Sequence, residues 1–217
     1  MKTFPLLVVA AACSPAPAAH PHPHHGPLVH RFEKADEWVA VFDDPARDAW
    51  QKPMHVVALM NVTDGMTVAD LGTGTGYFLP YLAKAVGSGK VLALDVEPDM
   101  IRYVKERAAK AGLTNVEARV VPLDDPALPA GAVDRVLIVD TWHHIADRKA
   151  YAGKLAKGLR PGGAVFVVDF TMEAAHGPPK HHRLPKETVV EELAAAGLTA
   201  KIVASELPDQ YVVAATR

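Results

Sequence analysis

The sequence predicts a doubly wound α/β sheet, Rossmann-like and parallel over most of its strands, with helices on both faces. Three observations carry the prediction. Short apolar, β-branched runs alternate with helix-length segments over residues 67–196, the pattern of successive βα units. One run ends in Asp70 and is followed by Gly72, Gly74 and Gly76 and then by a new apolar segment, which reads as a strand, a tight turn and a helix start. Two apolar runs flank Leu207-Pro208-Asp209, a hairpin that places at least one antiparallel strand at the edge of the sheet. A chain of 217 residues is long enough for one such domain with a real core.

Taken in order, residues 1–13 read as a targeting segment. Lys2 supplies a short basic start, and residues 4–12 are apolar but too short to span a bilayer. Val9-Ala10-Ala11-Ala12-Cys13 resembles a bacterial lipoprotein signal in which Cys13 is lipidated, although Ala10 stands where leucine is preferred. Cleavage after Ala12 or Ala18 without lipidation and a plain cytoplasmic N-terminus are the alternatives. The expectation is an exported protein, periplasmic or tethered to a membrane through Cys13. Residues 14–30 are rich in proline and carry His20, His22, His24, His25 and His30. Proline at this density favours an extended tether. Nothing fixes these imidazoles in a coordination geometry, so no metal site is assigned.

The domain proper is read as 31–217. Residues 31–59 are helical and amphipathic, punctuated by Pro45 and Pro53, with Trp38, Val41, Phe42 and Trp50 as large apolar side chains. Placed before the first strand, this segment can lie across the mouth of the sheet as a lid. The core, 60–217, begins with a turn at Asn61-Val62-Thr63-Asp64-Gly65. Strand β1 is expected at 67–70, a helix at 77–86 ended by Gly87-Ser88-Gly89, and β2 at 91–95. A helix at 98–111 stops at Gly112, and β3 follows at 116–121. Residues 133–139 form β4, a nearly continuous apolar run suited to a strand covered on both faces. A helix at 148–159 ends at Arg160-Pro161-Gly162-Gly163 before β5 at 164–169. A last helix at 186–196 stops at Gly197, and β6 (198–205) and β7 (210–215) make the hairpin.

In an open α/β sheet a ligand sits beyond the carboxyl ends of the strands, next to β1. Those ends carry Asp70, Asp95, Asp124 with Asp125, Asp140 and Asp169. The glycines are spaced G-x-G-x-G, whereas a dinucleotide fingerprint would need its third glycine at Tyr77. The acid at Asp70, two residues before the first glycine, disfavours a pyrophosphate and suits a ligand with a cationic amino group. S-adenosylmethionine is such a ligand, and Asp70 would hold its amino end. Gly72 and Gly74 let the backbone pass close to it. Asp95 lies about 20 residues past the turn, where an acid accepts hydrogen bonds from both ribose hydroxyls, worth about 1.5–3 kcal/mol each. Asp124 can reach an adenine amino group, as can Asp125; a surface turn is the other reading for both.

Val68–Phe78, Val91–Asp99, Val133–His144 and Leu159–Phe170 together resemble the successive motifs of class I S-adenosylmethionine-dependent methyltransferases. The resemblance covers most of 60–215, and residues 31–53 also look like the N-terminal region of bacterial members that carry export signals. It implies a seven-stranded sheet whose last strand is antiparallel, with cofactor contacts at Asp70, Gly72, Gly74 and Asp95, and further at Asp124 and Asp140. The implied reaction is in-line transfer of a methyl group from a sulfonium. A base is needed only if the acceptor must lose a proton. His143 and His144, just past β4, are the candidates, with His143 placed toward the cleft; the alternative is that both only pack or cap a helix.

The acceptor is bounded mainly by exclusions. Lys and Arg total 23 against 25 Asp and Glu, a net charge of −2 with no long basic run, so nucleic acid is not the expected partner. The segment Asp140-Thr141-Trp142-His143 lacks the Asn/Asp-Pro-Pro-aromatic pattern of amino-directed nucleic-acid methyltransferases. The single cysteine, Cys13, leaves the domain without a thiol nucleophile, a disulfide or a thiolate metal site. That leaves small molecules, quinone-like or other lipids, and proteins; a small-molecule or lipid-like acceptor is expected, with Trp38, Trp50 and Trp142 available to line an apolar pocket. His176, His181, His182 and Arg183 lie in the loop after β5, which either closes over the acceptor or is a solvated connection. Two other classes stay open: an exported nucleoside-binding protein of the same fold without catalysis, and a nicotinamide-dependent oxidoreductase, which the glycine spacing disfavours.

Overall fold

One seven-stranded sheet organises the chain, in the order β3-β2-β1-β4-β5-β7-β6. The computed structural model describes residues 32–217; the leader and the tether read from the sequence lie outside the described residues. The strands are β1 (Thr67–Leu71), β2 (Lys90–Asp95), β3 (Val116–Val120), β4 (Val133–Val139), β5 (Leu159–Phe170), β6 (Thr199–Val203) and β7 (Gln210–Thr216). The pairs β1/β2, β1/β4, β2/β3 and β4/β5 are parallel, whereas β7 runs antiparallel to both β5 and β6. The chain winds outward through β1, β2 and β3, returns to the other side of β1 and winds outward again from β4. The switch point of the sheet is thus between β1 and β4, with Val68 beside Arg135 and Leu71 beside Ile138.

Among the described residues seven α-helices pack around the sheet: α1 (Ala35–Phe42), α2 (Arg47–Gln51), α3 (Pro53–Leu59), α4 (Leu79–Val86), α5 (Pro98–Lys110), α6 (Arg148–Gly158) and α7 (Lys186–Ala194). The alternation of strand side chains divides the core in two. Val68, Val91, Ala93, Leu137, Phe166 and Val212 pack with Val56, Leu79, Leu82 and Val104 from α3, α4 and α5. Ala69, Leu92, Leu94, Val136, Ile138 and Val213 pack with Tyr151, Leu155, Val189 and Leu193 from α6 and α7. Burial on both faces explains the apolar stretches Val136–Val139 of β4 and Tyr211–Ala215 of β7.

Several boundaries differ from the sequence reading, each for a local reason. Within 32–59 the helical segment divides into three helices near the two prolines that punctuate it. Pro45 follows the end of α1, and Lys52 adopts a left-handed φ of 44°, because the proline after it disfavours the right-handed helical region. Helix α4 begins at Leu79 with Pro80 in its first turn, where a missing N–H costs nothing; Tyr77 and Phe78 stay in the glycine turn. Strand β5 starts five residues earlier than expected, because Leu159 already pairs with Val133. The antiparallel strand is β7, but it sits inside the sheet between β5 and β6, so the edge strand is β6.

A buried polar cluster ties β4 to α7. Trp142 is fully buried and donates its indole N–H to Glu192 Oε2 at 2.8 Å. Glu192 also receives Arg148 Nε, at 2.8 and 2.9 Å from its two oxygens. Trp142 therefore belongs to the core and not to an acceptor pocket, and it anchors the one turn of 3₁₀ helix, Trp142–His144, that carries both post-β4 histidines. Glu192→Ala is expected to destabilise the protein by about 3 kcal/mol, since it strands a buried N–H and leaves Arg148 unpaired. The urea midpoint measures this, and a shift equivalent to under about 1 kcal/mol contradicts it.

Candidate functional site

The carboxyl ends of β1, β2, β4 and β5 bring four acids to one cleft. Asp70, Asp95 and Asp169 are buried, and Asp140 is largely so. Asp124 stands apart from them: its carboxylate is 86% exposed and pairs with Lys154 Nζ at 3.2 Å, which also meets Asp125 at 3.5 Å. The ends of β2 and β3 instead form a shallow hollow of about 200 Å³ lined by Val96, Val121, Pro122 and Leu123.

The glycine turn is fixed by its neighbours. Gly72 and Thr73 donate their N–H groups to the carbonyl of Leu94 at 2.8 and 3.0 Å, and Thr73 Oγ1 donates to Asp70 Oδ2 at 2.8 Å. Asp95 accepts from the N–H of Gly74 and from that of Glu97, at 2.8 and 2.9 Å, so one carboxylate ties the turn to the end of β2. Gly72 has φ +72°, and a Cβ there would lie 2.3 Å from Thr141 Oγ1. Thr141 in turn donates to the carbonyl of Val139 at 2.8 Å. The β1 turn and the segment after β4 are therefore in van der Waals contact only because position 72 has no side chain.

Burial pushes Asp70 up to about 6, with Asp95 adding to the rise and the Thr73 hydroxyl opposing it. Burial also pushes Asp140 up to about 7, with Asp169 adding to the rise and Arg47 and His143 opposing it. Burial raises Asp95 as well, against the N–H donors of Glu97 and Gly74. Burial is the first cause of all three rises, and a cationic group beside these carboxyls would offset it. Asp140 sits at φ 51°, a left-handed conformation in which aspartate is tolerated better than most residues.

Histidine 143 is held by Asp169. Its Nδ1 lies 2.9 and 3.0 Å from the two carboxylate oxygens, and the ring is 5% exposed. Burial pulls the imidazole down, but the hydrogen bond and charge of Asp169, helped by Asp140, outweigh it and raise its pKa above the usual value. Among the described residues Nε2 makes no hydrogen bond, and it is not among the buried polar atoms left without a partner. His144 lies against His143 at 4.2 Å and against Phe32 of the lid at 5.9 Å between ring centroids.

The lid closes the other side. Phe42 faces Gly74, and Asp43 Oδ1 receives Thr75 Oγ1 at 2.9 Å and Arg107 Nη1 at 2.7 Å. From α2, Arg47 Nε donates to Gln51 Oε1 at 2.8 Å. Gln51 Nε2 donates to Gln210 Oε1 at 2.6 Å, Gln210 Nε2 donates to Asp140, and Arg47 Nη2 faces Asp140 Oδ2 at 3.8 Å. These four side chains form a ring joining the lid to the ends of β4 and β7. Trp50 stacks on His176 at 5.0 Å with an interplanar angle of 9°, and His176 pairs with Asp209. Arg183 donates to the carbonyls of Thr171, Ala174, His176 and Pro178. The loop after β5 is thus a shaped wall of the cleft, not a loose connection.

Sequence reasoning puts Asp70, Gly72, Gly74, Asp95, Asp140 and His143 at the cleft, and the structure brings all six to it. It assigns no role to Asp169, although that residue is visible as a strand-end acid, and it misses Arg47, Gln51 and Gln210. The Arg47 guanidinium and the Gln210 amide carry no motif: they reach the site through tertiary packing alone.

The donor set fits S-adenosylmethionine. Asp95 stands at the β2 end for a ribose, the hollow formed with Val96, Val121, Pro122 and Leu123 offers side chains for a flat base, and the buried carboxyl of Asp70 suits an ammonium group. A family model described as a methyltransferase domain matches residues 68–163. The chain is 31% identical to a solved S-adenosylmethionine-dependent methyltransferase from Aquifex aeolicus, with a TM-score of 0.79 over 84% of this chain and 98% of that one. It is 34% identical over 112 residues to nocamycin O-methyltransferase of Saccharothrix syringae, covering 51% of this chain and 40% of that protein. It is 30% identical over 129 residues to the ubiquinone biosynthesis O-methyltransferase of Xanthomonas axonopodis pv. citri, covering 55% and 53%. The chain thus spans about half the length of these curated relatives.

Proposed function

Because this chain belongs to the class I S-adenosylmethionine-dependent methyltransferases, we propose that it transfers the methyl group to a hydroxyl oxygen of a small-molecule or lipid-like acceptor, with His143 as the base. The observation that carries this reading is the contact of His143 Nδ1 with both oxygens of Asp169. A carboxylate on Nδ1 keeps the proton there and leaves Nε2 as the acceptor, the tautomer a general base requires. When bound, S-adenosylmethionine supplies an electrophilic methyl on a sulfonium whose leaving group is a neutral thioether.

The residues of the chain do the rest. Asp70 and Asp95, beside the glycine turn, would hold the amino and ribose ends of the cofactor. His143 Nε2 takes the hydroxyl proton as the oxygen attacks, and Asp169 stabilises the resulting imidazolium. The lid and the loop after β5 exclude water and orient the acceptor, an effect worth about 7–11 kcal/mol when reacting atoms are held in line. Two relatives named as O-methyltransferases support the choice of oxygen.

Calorimetry with S-adenosylmethionine, followed by assays of labelled methyl transfer to phenols, enols and matched amines, tests the proposal. Binding with transfer to hydroxyl acceptors is expected. Binding with transfer only to amines removes the role of His143 as base for oxygen, and binding with no transfer to any acceptor favours a nucleoside-binding protein. No binding at millimolar cofactor to folded protein removes the reading altogether.

A further inference from the structure

A second histidine–carboxylate pair stands across the end of β5 from the first. His176 Nδ1 meets Asp209 Oδ2, as His143 Nδ1 meets Asp169. Asp169 holds His143, and the next residue, Phe170, packs so closely on Gly177 that a Cβ there would lie 2.6 Å from its ring. His176 is fixed at three points. Asp209 holds Nδ1 and itself accepts the N–H of Ala175 at 2.8 Å. The Trp50 indole lies nearly parallel to the imidazole, at 9°. The His176 carbonyl accepts from Arg183 Nη2 at 3.0 Å. Only Nε2 is uncommitted: among the described residues it makes no hydrogen bond, and the side chain is 52% exposed. Among the described residues no third histidine, cysteine or acid completes a metal site around the pair. A half-exposed side chain held this firmly gives up rotamer freedom, and what the restraint yields is one preorganised hydrogen-bonding atom.

The tautomer decides which group fits Nε2. A carboxylate on Nδ1 keeps the proton there, so Nε2 presents a lone pair and takes a donor. A hydroxyl fits, whereas a carbonyl or ether oxygen sets lone pair against lone pair. The donor arrives in the imidazole plane, which Trp50 sets. The rest of the acceptor meets rings on both sides of the cleft. Trp50 lies with Phe170 at 5.9 Å on one side, and Phe32 lies with Trp38 at 4.8 Å and His144 at 5.9 Å on the other. Walls of this kind suit an arene. We propose that His176 Nε2 binds a second hydroxyl of the acceptor, remote from the one that is methylated, so that the acceptor class is a dihydroxyarene. This rests on the reading of the cleft as a site of methyl transfer to a hydroxyl oxygen. Asp209 and Trp50 act through His176, one by setting its tautomer and the other its plane.

The test reads binding first, which needs no methyl transfer. Calorimetry on the full chain saturated with S-adenosylhomocysteine compares hydroquinone and resorcinol with phenol, which lacks the second hydroxyl. The diols are expected to bind about 3- to 10-fold more tightly, the worth of one neutral hydrogen bond. His176→Phe keeps a flat ring against Trp50 and removes both nitrogens. It should bring the diols down to phenol and leave phenol and S-adenosylhomocysteine as in the parent. His176→Gln, which keeps a polar group without the fixed plane, should fall between. Labelled methyl transfer should show the same split: in His176→Phe, KM rises for the diols alone and kcat stays within about 2-fold. No preference for the diols in the parent chain overturns the proposal. Equal weakening of phenol and the diols in His176→Phe also overturns it, and assigns the pair to the architecture of the loop. Selective binding of the diols with no transfer to any hydroxyl overturns the oxygen-transfer reading and with it the diol as methyl acceptor, while the His176 subsite stands.

Discussion

His143→Ala is expected to lower methyl transfer to a hydroxyl acceptor by about 10²–10⁴-fold, the range for removal of a general base. Binding of S-adenosylhomocysteine should change by less than about 3-fold, because the ring meets Asp169 and not the groups that hold the nucleoside. The pH profile separates catalysis from architecture. A base works in its neutral form, so kcat/KM should rise with pH through the pKa of His143. That pKa is raised above its usual value by Asp169 and Asp140, and the rising limb should lie correspondingly high. Asp169→Asn removes the charge that raises it. The limb should then move to lower pH while the plateau falls, because an amide can present either face to Nδ1 and no longer selects the tautomer. A variant of His143 that retains full activity, or an unshifted profile in Asp169→Asn, contradicts the assignment.

Gly72→Ala is expected to be the most damaging single substitution in the glycine turn. The backbone there has φ +72°, and the new Cβ would lie 2.3 Å from Thr141 Oγ1 and 2.5 Å from its Cγ2. Left-handed geometry alone costs an alanine about 1–2 kcal/mol, and the overlap adds about 1–3 kcal/mol as the segment after β4 shifts. That segment carries Asp140 and His143, so stability and activity should fall together. Denaturant unfolding should show a loss of about 2–5 kcal/mol, with weaker binding of S-adenosylhomocysteine. Thr141→Ala in the same chain removes the two nearest atoms and should restore part of the loss, which is the signature of the contact. A fully stable Gly72→Ala protein would show that the turn is looser than described.

The fold was legible because its signals are local and repeated. β4 is apolar from Val136 to Val139, Pro98 opens α5 and Gly112 follows it, and Gly72, Gly74 and Gly76 all take positive φ. The boundaries that moved are those where a neighbour in space decides. Leu159 looks like the last helical residue until Val133 pairs with it. The position of β7 between β5 and β6 has no local signature, since a hairpin reads the same whichever arm meets the sheet. The site divides along the same line. Asp70, Asp95 and His143 stand at strand ends and are visible in one dimension. Gln51 and Gln210 lie 159 positions apart, with Arg47 one helical turn before Gln51, and only the closing of the lid over β4 and β7 makes the three neighbours. Asp124 shows the converse: its place after β3 suggests the cleft, but Lys154 offers it a partner in solvent.

The interior place of β7 bears on synthesis. During translation from the N-terminus, β1 to β5 are complete before residues 210–216 exist, yet β5 meets its neighbour on that side only when β7 inserts. Until then a row of unpaired backbone groups beside Val165, Val167 and Val168 is open to other chains. Gln210, the first residue of the inserting strand, also completes the lid ring through Gln51 and Asp140. Protection of the nascent sheet from aggregation and assembly of the cleft are thus a single, late event.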